Sequence, residues 1–392
     1  MPLSGVRVVD LTRILAGPFC SMLLADMGAD VLKIEPPGEG DAVREQGVIV
    51  EGLSWYYAQF NRNKRSMTLD LYAPEGKAIL ARLIERADVL VENYRPGVLE
   101  RMGFGSERLD QLNPDLVVAS INGYGSTGPY ADRPAFDFIA QAMSGFMSVN
   151  GRAGEPPMRA AMPISDLVAG LYGAFGAACA LAARGRGRAR GQRVESSLMN
   201  GLISLLAYLS AEYLATGALP ARTGNEHPIA APYGLYEAAD GQVAIAPSTD
   251  QVVRRLFHVL GIEAELERPE FGSYEARLRH RDAVNAVVGK RIRGDRVEHW
   301  IETLNAAGVP CGRVADLRDV FADPQVRAQE MVLEIPHPGH GTVRMTGFPV
   351  KLSETPCRVR RPAPELGEHT EEVLRELGLG DDVARLRAQH VI

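Results

Sequence analysis

The chain is poor in cysteine, and what it has is not arranged for chemistry. Its 392 residues include four, Cys20, Cys179, Cys311 and Cys357, all far apart. That spacing excludes a paired-cysteine metal motif and a dense disulfide framework. It suits reduced thiols, and a cytoplasmic location is expected. An excess of positive charge is also lacking: the formal net charge is −6 and the sequence pI is about 5.8. This argues against a nucleic-acid partner, although a local basic pocket stays compatible with it. Residues 1–3 lead straight into a strand-like run, so no signal peptide is expected. The most apolar stretch, 166–183, is rich in Gly and Ala and opens on an aspartate. It reads as a core helix, not a membrane span. There is no low-complexity tract and no internal repeat.

What is present is ample material for a core, with 46% hydrophobic residues. The length predicts two or three domains. VRVVDL (6–11) and DVLKIE (30–35) read as buried strands on either side of a helix at about 17–28. A strand–helix–strand unit predicts a parallel sheet with a right-handed crossover. The turn after the first strand is TRILAGP, not GxGxxG, so the dinucleotide fingerprint is missing from its usual place. FNRNKRSMTLDL (60–71) reads as a basic turn, Arg62, Lys64 and Arg65, running into a strand; further strands are expected at 88–94 and 115–122, with an amphipathic helix at 74–87. RGRGRARGQRV (184–194) reads as a basic linker, followed by one long helix over 194–216. LYEAADGQVAIAP (235–247) reads as a hairpin, and 249–307 as a smaller helical unit. Strands at 311–314, 332–337 and 341–351, a helix at 316–329 and two short tail helices complete the pattern.

One stretch stands out for chemistry. AMPISDLVAGLYGAFGAACA (161–180) opens on Ser165 and Asp166 and continues as a thin helix with Gly170, Gly173 and Gly176. Such a helix admits close approach of another backbone or a ligand. Asp166 falls at its positive end, where the dipole favours a carboxylate. It can cap the helix, or it can act as a nucleophile toward an activated acyl group. On local spacing the cap is the stronger of the two. Other candidates have equally plain alternatives. Arg44, in the loop 36–44, suits a phosphate or a plain surface loop; Arg62, Lys64 and Arg65 suit nucleotide phosphates or, the commoner outcome on composition, a solvated charge cluster. GYGSTGP (123–129) offers backbone N–H groups to an oxyanion, or is only a turn. His227 is a possible base, with a structural role the commoner outcome for a loop histidine.

Taken together, the segments resemble the class III CoA-transferase family, which includes formyl-CoA transferase and the carnitine and bile-acid CoA-transferases. The markers run in one order along the whole chain: LTRILAGP (11–18), ADVLKIEPPGEGD (29–41), FNRNKRSMTLDL (60–71), ADVLVENYRPGVLERMGF (87–104), INGYGSTGPYADRPAFDFIAQAMSG (121–145), SDLVAGLYG (165–173), ARGQRVESSL (189–198), AGVPCGRV (307–314) and LGEHTEEVLRELGL (366–379). The resemblance implies an α/β fold, with a Rossmann-like large domain on a parallel sheet and a smaller α+β domain. The implied division is 1–200 for the first part of the large domain, 201–224 for a linker helix, 225–330 for the small domain, and 331–392 returning to the large one. It also implies an interlocked homodimer, with linkers around 185–235 and 308–345 wrapping the partner.

The family's nucleophilic aspartate matches Asp166. The implied substrates are an acyl-CoA and a small carboxylic acid, with CoA thioester as substrate and no permanently bound cofactor or metal. Implied CoA contacts are Arg13, Ile14, Leu15 and Ala16, mostly through backbone, then Leu69, Asn93, Tyr94, Arg101 and Met102, with Arg133 standing in for a lysine. Pro36 and Tyr72 replace contacting Arg and Lys residues. Formyl-CoA transferase has His, Val and Gln at the positions of Arg13, Ile14 and Leu15, and a glycine-tetrad loop that is missing after Ala230, which turns the expectation away from formyl-CoA and oxalate. The related α-methylacyl-CoA racemases carry a catalytic His where Phe136 stands here, and phenylalanine exchanges no proton. Transfer is therefore expected over racemisation, and over noncatalytic CoA binding. Succinyl-CoA and a small dicarboxylate are the expected pair.

Overall fold

The computed structural model describes residues 1–392. The chain forms two compact units, one from Met1–Phe146, Arg159–Ala207 and Pro324–Ile392, the other from Met147–Met158 and Tyr208–Asp323. The first unit is built on six parallel strands: β1 (Arg7–Asp10), β2 (Asp30–Glu35), β3 (Lys64–Thr68), β4 (Val89–Glu92), β5 (Val117–Asn122) and β6 (Gln192–Ser197). Their spatial order is β3-β2-β1-β4-β5-β6. The order reverses between β1 and β4, and ligands of open α/β sheets bind at the carboxyl ends of strands where that happens.

The strand sequences explain the layering. Strands β1, β2, β4 and β5 are apolar at successive positions because both faces are covered. Side chains alternate between faces. Val8, Val31, Val89, Val91, Val117 and Ala119 enter one core; Val9, Leu32, Ile34, Leu90 and Val118 enter the other. The first core is closed by α1 (Ala16–Asp26) and the long helix at Ile164–Gly185. The second is closed by α3 (Pro74–Ile84), the segment 98–112 and the tail helix Thr370–Glu376. Helix α2 (Trp55–Asn61) comes between β2 and β3. Short helices α4 (Val98–Arg101) and α5 (Ser106–Leu112) follow β4, and α6 (Asp137–Met143) follows β5.

The long helix Ile164–Gly185, α7, is the one single helix long and apolar enough to cross a membrane. Its small-residue face is instead packed in the core. A Cβ added at Gly170 would lie 2.5 Å from the Ala16 carbonyl oxygen, one at Gly173 3.2 Å from the Ile121 side chain, and one at Gly176 2.5 Å from the Val194 side chain. The glycines thus seat α7 on α1 and the sheet, as the thin-helix expectation required. The opposite face is apolar and uncovered: Leu171 is 51% exposed and Phe175 66%.

In the second unit, β7 (Gly234–Glu237) and β8 (Gln242–Ile245) form the expected hairpin, and β9 (Cys311–Arg313) pairs antiparallel with β8. Helices Asp250–Leu260, Arg281–Ile292 and Val297–Ala306 supply Leu256, Phe257, Val288 and Trp300 to its core. Back in the first unit, Val332–His337 and Gly341–Thr346 pair as a separate antiparallel hairpin.

Two expectations need correcting. The expected helix 194–216 is two short helices, α8 (Leu198–Ser204) and one at Ala207–Thr216, and Val194 lies in the sixth strand. The Arg-rich composition of the preceding stretch hid that strand, whose Gln192 and Arg193 are exposed at the sheet edge while Ser196 and Ser197 are buried. Residues 316–329 are broken into two helices, the second beginning at Pro324, where proline has no N–H to continue the first.

Candidate active site

Asp166 lies in the first turn of α7, partly buried. It is not the cap: Pro163 occupies that position and no side chain caps the helix. The neighbouring Ser165 is fully engaged. Its backbone N–H and its hydroxyl both donate to Asp137 Oδ1, at 3.0 and 2.9 Å. Gln141 Nε2 donates to the other oxygen of Asp137 at 2.8 Å, and the Arg159 guanidinium stands 4.0 Å from it. Asp137 is buried in the first turn of α6, so one carboxylate ties two helix starts together beside Asp166.

That setting loads Asp166 with proton affinity. Burial, and then the charge of Asp137, push its pKa up to about 7. A carboxylate is poorly solvated here and meets a like charge, so the neutral form is favoured. The same field reaches Tyr56 on α2, whose phenol is pushed up to about 12 by burial, Asp166 and Asp41. Tyr56 therefore keeps its proton at neutral pH and is a donor in this neighbourhood. Neither Asp137 nor Tyr56 is among the sequence-derived site residues. Asp137 follows Phe136 in the racemase comparison, but only its position across from Ser165 reveals its part.

The turn after β1 lies at the point where strand order reverses. Asn93, just past β4, holds it from one side: Arg13 N–H donates to Asn93 Oδ1 at 3.0 Å, and Asn93 Nδ2 donates to the Arg13 carbonyl at 2.8 Å. Ile14 adopts φ 69°, left-handed for a β-branched residue. Gly17 is required here, since a Cβ would lie 2.4 Å from Thr12 and 3.0 Å from the Asn93 side chain. The exposed Arg13 guanidinium lies 5.8 Å from the Tyr94 ring. Arg13, Ile14, Leu15, Ala16, Asn93 and Tyr94 are thus gathered at one place, and α7 touches it, since Gly170 packs on Ala16.

Other expected contacts fall elsewhere. The Leu69 and Met102 side chains, 1% and 8% exposed, belong to the core. Apolar packing claims them, so Leu69 has only its backbone to offer a ligand. Arg101 is exposed on α4, and Arg133 is exposed with its guanidinium 3.8 Å from the Tyr130 ring. The Arg13 and Ile14 N–H groups, expected to face a ligand, are already bonded to Asn93 and Asp41. In the loop 123–129, Gly125 N–H goes to Asn122 Oδ1 at 2.6 Å and Ser126 N–H to Glu195 Oε1 at 2.7 Å. Neither is left for an oxyanion.

The basic residues are neither phosphate ligands nor a solvated cluster. Arg62 pairs with Asp26 at 2.6 Å, Lys64 with Asp10 at 3.1 Å, Arg65 with Asp30 at 2.8 Å, and Arg44 with Glu35 at 2.8 Å. Lys64 is buried between Asp10 and the Pro18 carbonyl, and burial pulls its pKa down to about 8. His227 packs against the Tyr208 and Tyr233 rings, and its Nδ1 accepts the Ile229 N–H at 3.3 Å. Burial and Arg281 lower its pKa, so it stays neutral. A cleft of about 290 Å³ is lined by Arg7, Asp30, Arg65 and Leu377. It opens at the amino ends of the strands, the end opposite Asn93 and the turn at 12–16, and carries no part of this constellation.

Comparison with known proteins gives the family. The family model described as CoA-transferase family III matches residues 3–370. The chain is 37% identical over 395 residues to succinyl-CoA–D-citramalate CoA-transferase of Chloroflexus aurantiacus, covering 100% of this chain and 98% of the relative. It is 38% identical over 383 residues to succinate–glutarate CoA-transferase of Agrobacterium fabrum, covering 96% of each. Among solved structures, a CAIB/BAIF family protein from Brucella suis superposes with a TM-score of 0.85 at 36% identity, over 96% of this chain and 99% of that one. A six-stranded Rossmann-order sheet and full-length likeness to named CoA-transferases place the chain in CoA-transferase family III, as an enzyme that uses a CoA thioester as substrate.

Proposed function

We propose that this enzyme moves CoA from a donor acyl-CoA to an acceptor carboxylate through covalent intermediates on Asp166. The observation that carries the reading is the state of that side chain. It caps nothing, it is partly buried, and it lies on the helix that packs on the turn at residues 12–16. In its ionised form an Asp166 oxygen attacks the thioester carbonyl carbon. The C–S bond breaks, CoA leaves as the thiolate, and an aspartyl–acyl anhydride remains. The thiolate attacks the aspartyl carbonyl, the donor acid leaves as carboxylate, and an aspartyl-CoA thioester forms. The acceptor carboxylate attacks that thioester and releases the thiolate again. The thiolate then takes the acceptor acyl group and frees Asp166. Each step exchanges one activated acyl bond for another. The protonated Tyr56 phenol is suited to donate a hydrogen bond to oxygen charge as it develops.

Arg13, Ile14, Leu15, Ala16, Asn93 and Tyr94 hold the CoA moiety, with Arg101 and Arg133 as the exposed cations toward its phosphates. The similarity to enzymes named for succinyl-CoA, citramalate and glutarate supports succinyl-CoA as donor and a small dicarboxylate as acceptor. Phe136 supports transfer over racemisation, since it carries no exchangeable proton. The enzyme acts as a cytoplasmic homodimer: its four cysteines are unpaired, and the apolar outer face of α7 suits a second copy. Sedimentation at micromolar concentration checks the dimer.

Incubation with succinyl-CoA and hydroxylamine tests the chemistry. A hydroxamate on the Asp166 peptide, seen by mass spectrometry, is expected. Asp166→Ala abolishes exchange while CoA still binds. Exchange at the wild-type rate in that variant refutes the mechanism, and α-carbon deuterium wash-in without acyl exchange favours racemisation instead.

A further inference from the structure

The turn at residues 12–14 is held by side chains at almost every backbone polar group. Thr12 N–H donates to Asp10 Oδ1 at 2.9 Å, and the Thr12 carbonyl accepts from Lys33 Nζ at 2.7 Å. Asn93 takes both backbone groups of Arg13. Ile14 N–H is shared by the two oxygens of Asp41, at 3.1 and 3.2 Å. Lys33 Nζ also donates to Asp41 Oδ2 at 2.9 Å, and the side chains of the pair are 0% and 1% exposed. Asp41 is fixed in turn: its own N–H donates to Glu35 Oε1 at 3.0 Å, and Glu35 is held by Arg44 and Ser66.

The conformation so held is a costly one. A β-branched residue at positive φ persists only where its surroundings enforce it. It also has a consequence for binding. Pro18, four residues on, has no N–H to give the Ile14 carbonyl. With the N–H groups of 12–14 consumed, this turn offers a ligand the Ile14 carbonyl and the N–H groups that open α1, which lack partners within the helix.

We infer that the buried Lys33–Asp41 pair is a positioning device for acyl-CoA, holding the turn at residues 12–14 left-handed so that the Ile14 carbonyl and the first N–H groups of α1 face the ligand. The inference rests on the acyl-CoA reading above. Lys33 and Asp41 are positioning residues that act through the turn.

Asp41→Asn removes the charge and keeps the shape. The expected result is an about tenfold rise in KM for acyl-CoA and in the calorimetric Kd for free CoA, equivalent to about 1.4 kcal/mol, with kcat much less affected. Adding Ile14→Gly recovers most of the CoA affinity, because glycine takes positive φ without steric cost. A purely structural role gives the reverse: a lower melting temperature in both variants, with Kd unmoved and no rescue. If Asp41→Asn does not fold, Ile14→Pro serves, since it deletes the bonded N–H and forbids positive φ while leaving the ion pair whole. Unchanged Kd in either variant overturns the inference. Free CoA binding by the wild type without hydroxamate trapping overturns the transferase mechanism alone, so the two failures are separable.

Discussion

Asp137 and Ser165 are joined twice through a single carboxylate oxygen, to the N–H at 3.0 Å and to the hydroxyl at 2.9 Å. The contact locks the start of α7 against the start of α6 and leaves a second negative charge beside Asp166. Asp137→Asn keeps an oxygen for Ser165 and removes that charge. The acid limb of the pH–rate profile is expected to move down by about 0.5–1 pH unit. It does not reach the ordinary carboxylate range, because burial is the larger cause of the shift. A full set of rates from pH 5 to 9 measures it.

Asp166 itself links activity to pH in a defined direction. With its pKa near 7, the attacking carboxylate is scarce at pH 6 and dominant at pH 8. The rate of hydroxamate formation rises through that window and levels above it. Stability runs the other way. The folded state holds a proton that the unfolded chain releases near 3.8, so stability falls as pH rises from about 4 to 7. Asp166→Asn escapes that loss and is expected to melt about 2 °C or more above the wild type at pH 8, with no such gain at pH 4. Differential scanning calorimetry at the two pH values decides it.

Gly170 packs where a methyl group does not fit, 2.5 Å from the Ala16 carbonyl oxygen. Because the obstacle is backbone, Gly170→Ala must lift α7 away from α1. A loss of about 1–3 kcal/mol is expected, together with a lower kcat, because the same shift moves Asp166 from the turn at 12–16. Denaturant melts and steady-state kinetics on one preparation show whether the two losses coincide.

Arg62 separates phosphate binding from fold support. Its guanidinium is buried against Asp26 and also reaches the Thr346 carbonyl at 3.1 Å. Arg62→Met leaves Asp26 charged and unpaired, at an expected cost of about 3–5 kcal/mol. The folded enzyme is expected to keep its KM for acyl-CoA. A raised KM with little change in the urea midpoint returns Arg62 to the list of phosphate ligands.

The sequence alone determined the α/β class, five of the six parallel strands, the crossover helices, and the family, because these rest on local periodicity and on short motifs kept in one order. It placed Asp166 at a helix start and gathered the turn at 12–16 with Asn93. Only the tertiary structure decided what Arg44, Arg62, Lys64 and Arg65 do. Their partners Asp26 and Asp30 lie more than thirty residues away from Arg62 and Arg65, and composition does not distinguish a buried ion pair from a solvated one. It also showed that Asp166 caps nothing, that burial and then the charge of Asp137 set its proton affinity, and that the N–H groups of the turn at 12–14 are spent on Asp10, Asn93 and Asp41. Pattern reads what lies next along the chain; a charge takes its meaning from what the fold packs against it.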